Sequence, residues 1–86
     1  MFGGNVMEFH TIKLIKPLEN MILEAVFSSG EIKKYDMKIL INKYKVFKEL
    51  ENKELFNKVK VDIGGYGIVW NEDIDLSSEE IWENGY

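Results

Sequence analysis

The stretch Met21-Ile22-Leu23-Glu24-Ala25-Val26-Phe27-Ser28-Ser29-Gly30-Glu31-Ile32-Lys33-Lys34-Tyr35 decides the fold class. Successive side chains of a strand point to opposite faces. Met21, Leu23, Ala25 and Phe27 therefore make one fully apolar face, while Ile22, Glu24 and Val26 make a mixed one. Such alternation marks a half-buried strand. Ser28-Ser29-Gly30 follows, with glycine supplying the positive φ that a tight hairpin requires. Ile32 to Tyr35 then read as the returning, antiparallel strand.

The pattern extends outward on both sides. Phe9 to Lys16 predict a strand closed by Pro17, with Ile12 and Leu14 on the same face as His10, and Pro17-Leu18-Glu19-Asn20 predict a turn. Downstream, Asp36 is placed to accept from the free N–H groups of a helix start. Leu40, Tyr44, Phe47 and Leu50 recur at helical spacing, with a break expected near Lys45-Val46, and Asn52 is placed to cap a last turn carrying Leu55 and Phe56. Val59, Val61 and Ile63 alternate with Lys58, Lys60 and Asp62, which predicts another half-buried strand. Gly64-Gly65-Tyr66-Gly67 read as its hairpin turn and Ile68-Val69-Trp70 as the returning strand. Ser77 and Glu80 have capping-box spacing, Leu76 and Ile81 have staple spacing, and Gly85 stands where a C-cap glycine belongs.

The resulting order is β-β-β-α-β-β-α. It predicts an α+β domain with small antiparallel sheet strands and helices packed against the sheet, one sheet or two being equally compatible. Residues 9–86 are expected to form this single domain and residues 1–8 a lead-in, with Met7 as an alternative start.

Composition bounds the function. The 86 residues include 15 acids, 11 lysines, one histidine, no arginine and no cysteine, for a net charge of −4. Without cysteine there is no disulfide framework, thiolate nucleophile or cysteine-bound metal. No apolar run reaches the roughly 20 residues of a membrane helix, and the N-terminus lacks the layout of a signal peptide. The expectation is a cytoplasmic protein. The charge is lopsided: residues 13–60 hold every lysine against seven acids, whereas residues 61–86 hold seven acids and no lysine. Such a split favours self-association or a protein partner.

Each candidate for chemistry is better explained as structure. His10 has no visible nucleophile or orienting acid beside it. Asp73, Asp75 and Ser77 share the first offsets of a calcium loop, but Ser78 and Asn84 stand where that loop needs glycine and glutamate. The glycine-rich turn lacks a phosphate-binding fingerprint. The lysines between Lys33 and Lys60 are interleaved with aromatics, as in some nucleic-acid interfaces. The missing arginine and the acidic balance argue against that use. Tyr35, Tyr44, Phe47, Trp70 and Trp82 are the aromatic residues selected as partner contacts. No catalytic, cofactor or metal residue is predicted, and no small-molecule substrate is evident.

One resemblance spans residues 9–86. Phe27 with Ser29-Gly30, Tyr35-Asp36, Phe47 and Leu50, Leu55-Phe56 and Val59, Ile68-Val69-Trp70, and the closing Asp75-Leu76-Ser77, Glu79, Ile81-Trp82 and Gly85 resemble a family of small bacterial proteins known as domain of unknown function 2442. The resemblance implies a compact α+β domain with no assigned activity and no catalytic residue to carry over. It also implies two settings among relatives, a following helix-turn-helix segment or a neighbouring gene in a toxin–antitoxin-like pair. The sequence to Tyr86 is expected to lack the former. Asn71-Glu72-Asp73-Ile74 departs from the family, in which a glycine precedes the closing Asp-Leu. The leading expectation is a non-enzymatic interaction module, antitoxin-like or homodimeric. The alternative is a nucleic-acid-binding regulator using Lys38, Lys45, Lys48 and their neighbours.

Overall fold

The structure is a computed structural model that describes residues 9–86. The expected lead-in, residues 1–8, lies outside the described residues. Two three-stranded antiparallel meanders share the core with three short helices. The first sheet contains β1 (Ile12–Pro17), β2 (Ile22–Phe27) and β3 (Ile32–Asp36). The second contains β4 (Lys60–Val61), β5 (Gly67–Asn71) and β6 (Ile74–Ser77). Between them run α1 (Lys38–Lys43), a 3-10 segment (Lys45–Glu51) and α2 (Lys53–Phe56). α3 (Ser78–Asn84) closes the fold against β3, β5 and β6. The expected element order holds, with β6 as one strand more, and the strands form two sheets.

β2 sets the core. Leu23, Ala25 and Phe27 are buried, and Tyr35 of β3, Ile12 of β1 and Ile81 of α3 pack with them. The hairpin after Phe27 closes with Gly30 at φ +96°, donating to Phe27 O at 2.8 Å. Met21, expected within the strand, falls outside it. It and Asn20 take left-handed φ values of 59° and 61°, which lets the chain reverse after Pro17.

β1 departs from the expected alternation. Its pairing steps from Ile12↔Phe27 to Leu14↔Val26, so Lys13 is an extra residue on one side of the ladder. A bulge of this kind reverses the facing of everything beyond it. Ile12 is 3% exposed and Leu14 60% exposed, so the two do not share a face. Ile15, not Leu14, packs partly buried against the core.

The second sheet also differs from expectation at its start. β4 stops at Val61 because the Asp62 carboxylate accepts from the Ile63 N–H at 2.8 Å and turns the chain into a short 3-10 segment. Ile63 is consequently 93% exposed rather than on a buried strand face. The segment closes on Gly65 at φ +79°, where a Cβ would lie 2.6 Å from the Ile12 carbonyl oxygen. That close approach brings the second sheet against β1.

The caps follow the sequence in part. Asn52 accepts from Leu55 N at 3.1 Å and Ser77 from Glu80 N at 3.1 Å, while Asp36 accepts from Lys38 N at 2.9 Å. The helical run breaks into 3-10 geometry at Lys45, as the cluster of β-branched and aromatic residues predicts. Glu80 does not complete a reciprocal capping box, because its carboxylate is engaged elsewhere. Gly85 stands at the C-cap but is extended, at φ −78°. A Cβ there would meet Ile81 O at 2.5 Å and Lys34 O at 2.8 Å. Beyond it, Tyr86 exchanges two backbone hydrogen bonds of 2.9 Å with Lys34 and covers part of the β3 edge.

Candidate functional site

A groove of about 840 Å³ lies between α1 with its 3-10 continuation and α3 with β6. Its floor is Tyr35 of β3 and Leu76 of β6. One wall carries Ile39, Leu40 and Lys43 of α1, followed by Tyr44 and Phe47, and the other carries Glu80 and Asn84 of α3, with Tyr86 at the end. Helical spacing explains the first wall. Leu40 and Ile41 turn into the core, leaving Ile39 66% exposed at the groove edge. Tyr44 and Phe47 meet edge to face, with centroids 6.4 Å apart, and hold each other at the rim.

Tyr35 and Glu80 form the polar centre. The Tyr35 hydroxyl donates to Glu80 Oε2 at 2.7 Å, and Asn84 Nδ2 donates to the same oxygen at 2.9 Å. Burial, then the bond to Glu80, push the Tyr35 phenol well above its ordinary value, so it stays a donor throughout the neutral range. None of the ion pairs among the described residues involves Glu80. On the opposite wall, Lys43 Nζ stands 5.5 Å from the Tyr44 ring centroid.

Three of the five selected aromatics, Tyr35, Tyr44 and Phe47, come together in this groove. Trp70 does not. It is 6% exposed, stacks on Phe56 and donates from Nε1 to Phe56 O at 3.1 Å, so it packs the interior. Trp82 lies on another face of α3. The His10 ring stacks on it at 3.8 Å, and Lys33 Nζ sits 4.7 Å from its centroid while donating to Trp82 O.

His10 is engaged in a clasp. Its backbone N–H donates to Glu79 Oε2 at 2.7 Å, and Nδ1 lies 3.0 Å from Glu79 Oε1. These two contacts hold the Glu79 carboxyl below its usual range, the backbone N–H foremost. Thr11 also reaches Ser28 Oγ at 2.8 Å, so the entry to β1 is tied at two points. Among the described residues, no group of three or more histidine and acidic side chains is arranged to hold a metal ion. The sequence reading missed Ile39, Glu80, Asn84 and Tyr86 of the groove. Glu80 carried a signal only as a capping residue, and its contact with Tyr35 spans 45 positions.

A family model described as "Protein of unknown function (DUF2442)" matches residues 12–86. The chain belongs to this family. A comparison of the DUF2442 chain with curated proteins finds no match. Among solved structures it is similar to one titled "Putative DNA Binding Protein NE0471 from Nitrosomonas europaea ATCC 19718", with a TM-score of 0.73 and 16% identity. The similarity covers 88% of this chain and 50% of the other, so this DUF2442 chain spans about half the length of the structure it matches. At that identity the likeness establishes the fold alone. No helix among the described residues is long and apolar enough to cross a membrane.

Proposed function

We propose that this DUF2442 domain is a non-enzymatic protein-interaction module, and that the groove between α1 and α3 receives the partner. The observation that carries this reading is the gathering of Ile39, Tyr44, Phe47 and Tyr86 around one open concavity, three of them substantially exposed. Exposed aromatic and aliphatic side chains bordering a groove are the usual anchors of protein recognition. The domain's histidine also supports it, being committed to the Glu79 clasp on another face of α3. The test is selection of binding peptides from an unbiased displayed library, followed by titration of a selected peptide into 15N-labelled protein. Shifts centred on Ile39, Tyr44 and Leu76 are expected, and Ile39→Ser and Tyr44→Ser should each weaken binding. Peptides that perturb only other surfaces would overturn the reading.

A second reading, nucleic-acid binding through Lys38, Lys45 and Lys48, draws support from the name of the solved neighbour. Two of these lysines already face carboxylates: Lys38 pairs with Asp36 at 3.0 Å and Lys48 with Glu51 at 3.8 Å. Phosphate contacts would make any such affinity fall steeply with salt. A gel shift at low ionic strength is expected to show no complex, and a salt-sensitive complex abolished by Lys45→Glu would favour this second reading instead.

A further inference from the structure

Resting on the groove as the partner-binding face, we infer that its occupant is an extended segment of another protein carrying a lysine or arginine between apolar residues. The cationic head sits on Glu80, and its stem lies along Tyr35, Tyr44 and Phe47. The placement of Glu80 argues for this. Both of its hydrogen bonds, from Tyr35 Oη and Asn84 Nδ2, fall on Oε2. The carboxylate is thus oriented, while Oε1 accepts no hydrogen bond among the described residues. An oriented carboxylate without a cation, bordered by aromatic faces, has the chemistry that binds an ammonium or guanidinium. Lys43 already shows the mode, with its own Nζ 5.5 Å from the Tyr44 ring centroid.

The charge of the lining agrees. Of the two acids in the lining, Asp36 is already paired with Lys38 at 3.0 Å, which leaves the Glu80 carboxylate as the one without a cation. An acidic segment would meet that carboxylate and lose the aromatic faces as partners. A second copy of the chain fits less well. A two-fold axis along the groove sets the Lys43 wall on the partner's Glu80 wall, but it places concavity over concavity and leaves both hollow. A single extended segment fills the groove, with apolar neighbours of the basic residue resting against Ile39 and Leu76.

The experiment uses peptides selected without sequence bias on the full chain, mapped by 15N chemical shifts and measured by calorimetry. Peptides that map to the groove should share a basic residue, and replacing it by citrulline or norleucine should weaken binding about tenfold. Glu80→Gln should cost a similar factor while the dispersed amide spectrum confirms folding. Lys43→Gln, at an exposed position, should act oppositely and tighten binding about two- to threefold by removing a like charge. Groove-binding peptides without a basic residue, or with one whose neutral replacement is silent, would overturn this inference and leave the groove reading intact. Selected peptides that perturb no groove resonance would overturn both.

Discussion

The Tyr35 hydroxyl donates to the Glu80 carboxylate at 2.7 Å, joining the edge strand β3 to helix α3 at the floor of the groove. A charge-assisted bond of this kind is shorter and stronger than one between neutral groups. It fixes the rotamer of Glu80, and so the direction in which the groove presents its negative charge.

Tyr35→Phe keeps the ring in the core and removes only the donor. At neutral pH it is expected to destabilise the domain by about 1.5–3 kcal/mol, the range for a hydrogen bond to a charged group. The pH profile gives a second readout. Because the folded phenol is raised above its ordinary value of 10.0, the stability it contributes is fully present below that pH. It is lost as pH rises above it, where the unfolded state ionises first. The alkaline fall in stability, followed by urea denaturation, should be shallower in Tyr35→Phe than in the parent. Parallel alkaline profiles would refute this account of the bond.

Glu79 gives the opposite dependence. Its folded value lies below the ordinary 4.5, so its contribution is present above that pH and is lost as the pH falls through the depressed value. The carboxylate is 39% exposed and the His10 ring 36%, so solvent screening keeps the contribution within about 1 kcal/mol. Glu79→Gln should therefore be mildly destabilised near neutrality and converge with the parent in acid. Its amides in residues 9–11 should exchange faster, because the clasp on the start of β1 is loosened. An unchanged gap between parent and variant from neutral to acid pH would contradict this assignment.

The legible parts of the fold are those set by local periodicity and caps. β2, its hairpin at Gly30, the break at Lys45, and the caps at Asn52 and Ser77 all follow from residues within a few positions of one another. Features set by distant contacts were not legible. The bulge at Lys13 is a matter of register against β2, and alternation read along β1 alone cannot detect it. β6, only four residues long, carries no strand pattern that the sequence alone reveals. Its strand character comes from pairing with β5, after the Asn71 side chain accepts from the Asp73 and Ile74 N–H groups at 2.9 and 3.0 Å. The groove shows the same division. Tyr35, Tyr44 and Phe47 stand out in the sequence as aromatics, but Glu80 and Asn84 join them only once α3 docks beside β3.

The bulge makes a paired prediction. Unbroken alternation would give Ile12 and Leu14 equal weight, whereas the structure buries the first and exposes the second. Leu14→Lys should change stability by less than about 0.5 kcal/mol, as surface substitutions generally do. Ile12→Ala should cost about 2–5 kcal/mol through lost burial and the cavity it leaves. Chemical denaturation of the two variants checks this directly, and comparable losses would show that Lys13 does not shift the register.

The contact between the two sheets can be tested at Gly65. Gly30 and Gly65 both have positive φ, so alanine at either strains the backbone, by roughly 1 kcal/mol or more. Their surroundings differ. A Cβ on Gly30 meets nothing within 4 Å, whereas on Gly65 it falls 2.6 Å from the Ile12 carbonyl oxygen and 3.2 Å from Ile12 N. Backbone atoms of a paired strand cannot swing aside as a side chain can, so Gly65→Ala must push the turn away from β1. Gly65→Ala should lower the denaturation midpoint clearly more than Gly30→Ala, and its backbone shifts should spread into β1 around Ile12. Equal losses at the two positions would show that conformation alone explains Gly65, and that the close approach of the two sheets carries little of the stability.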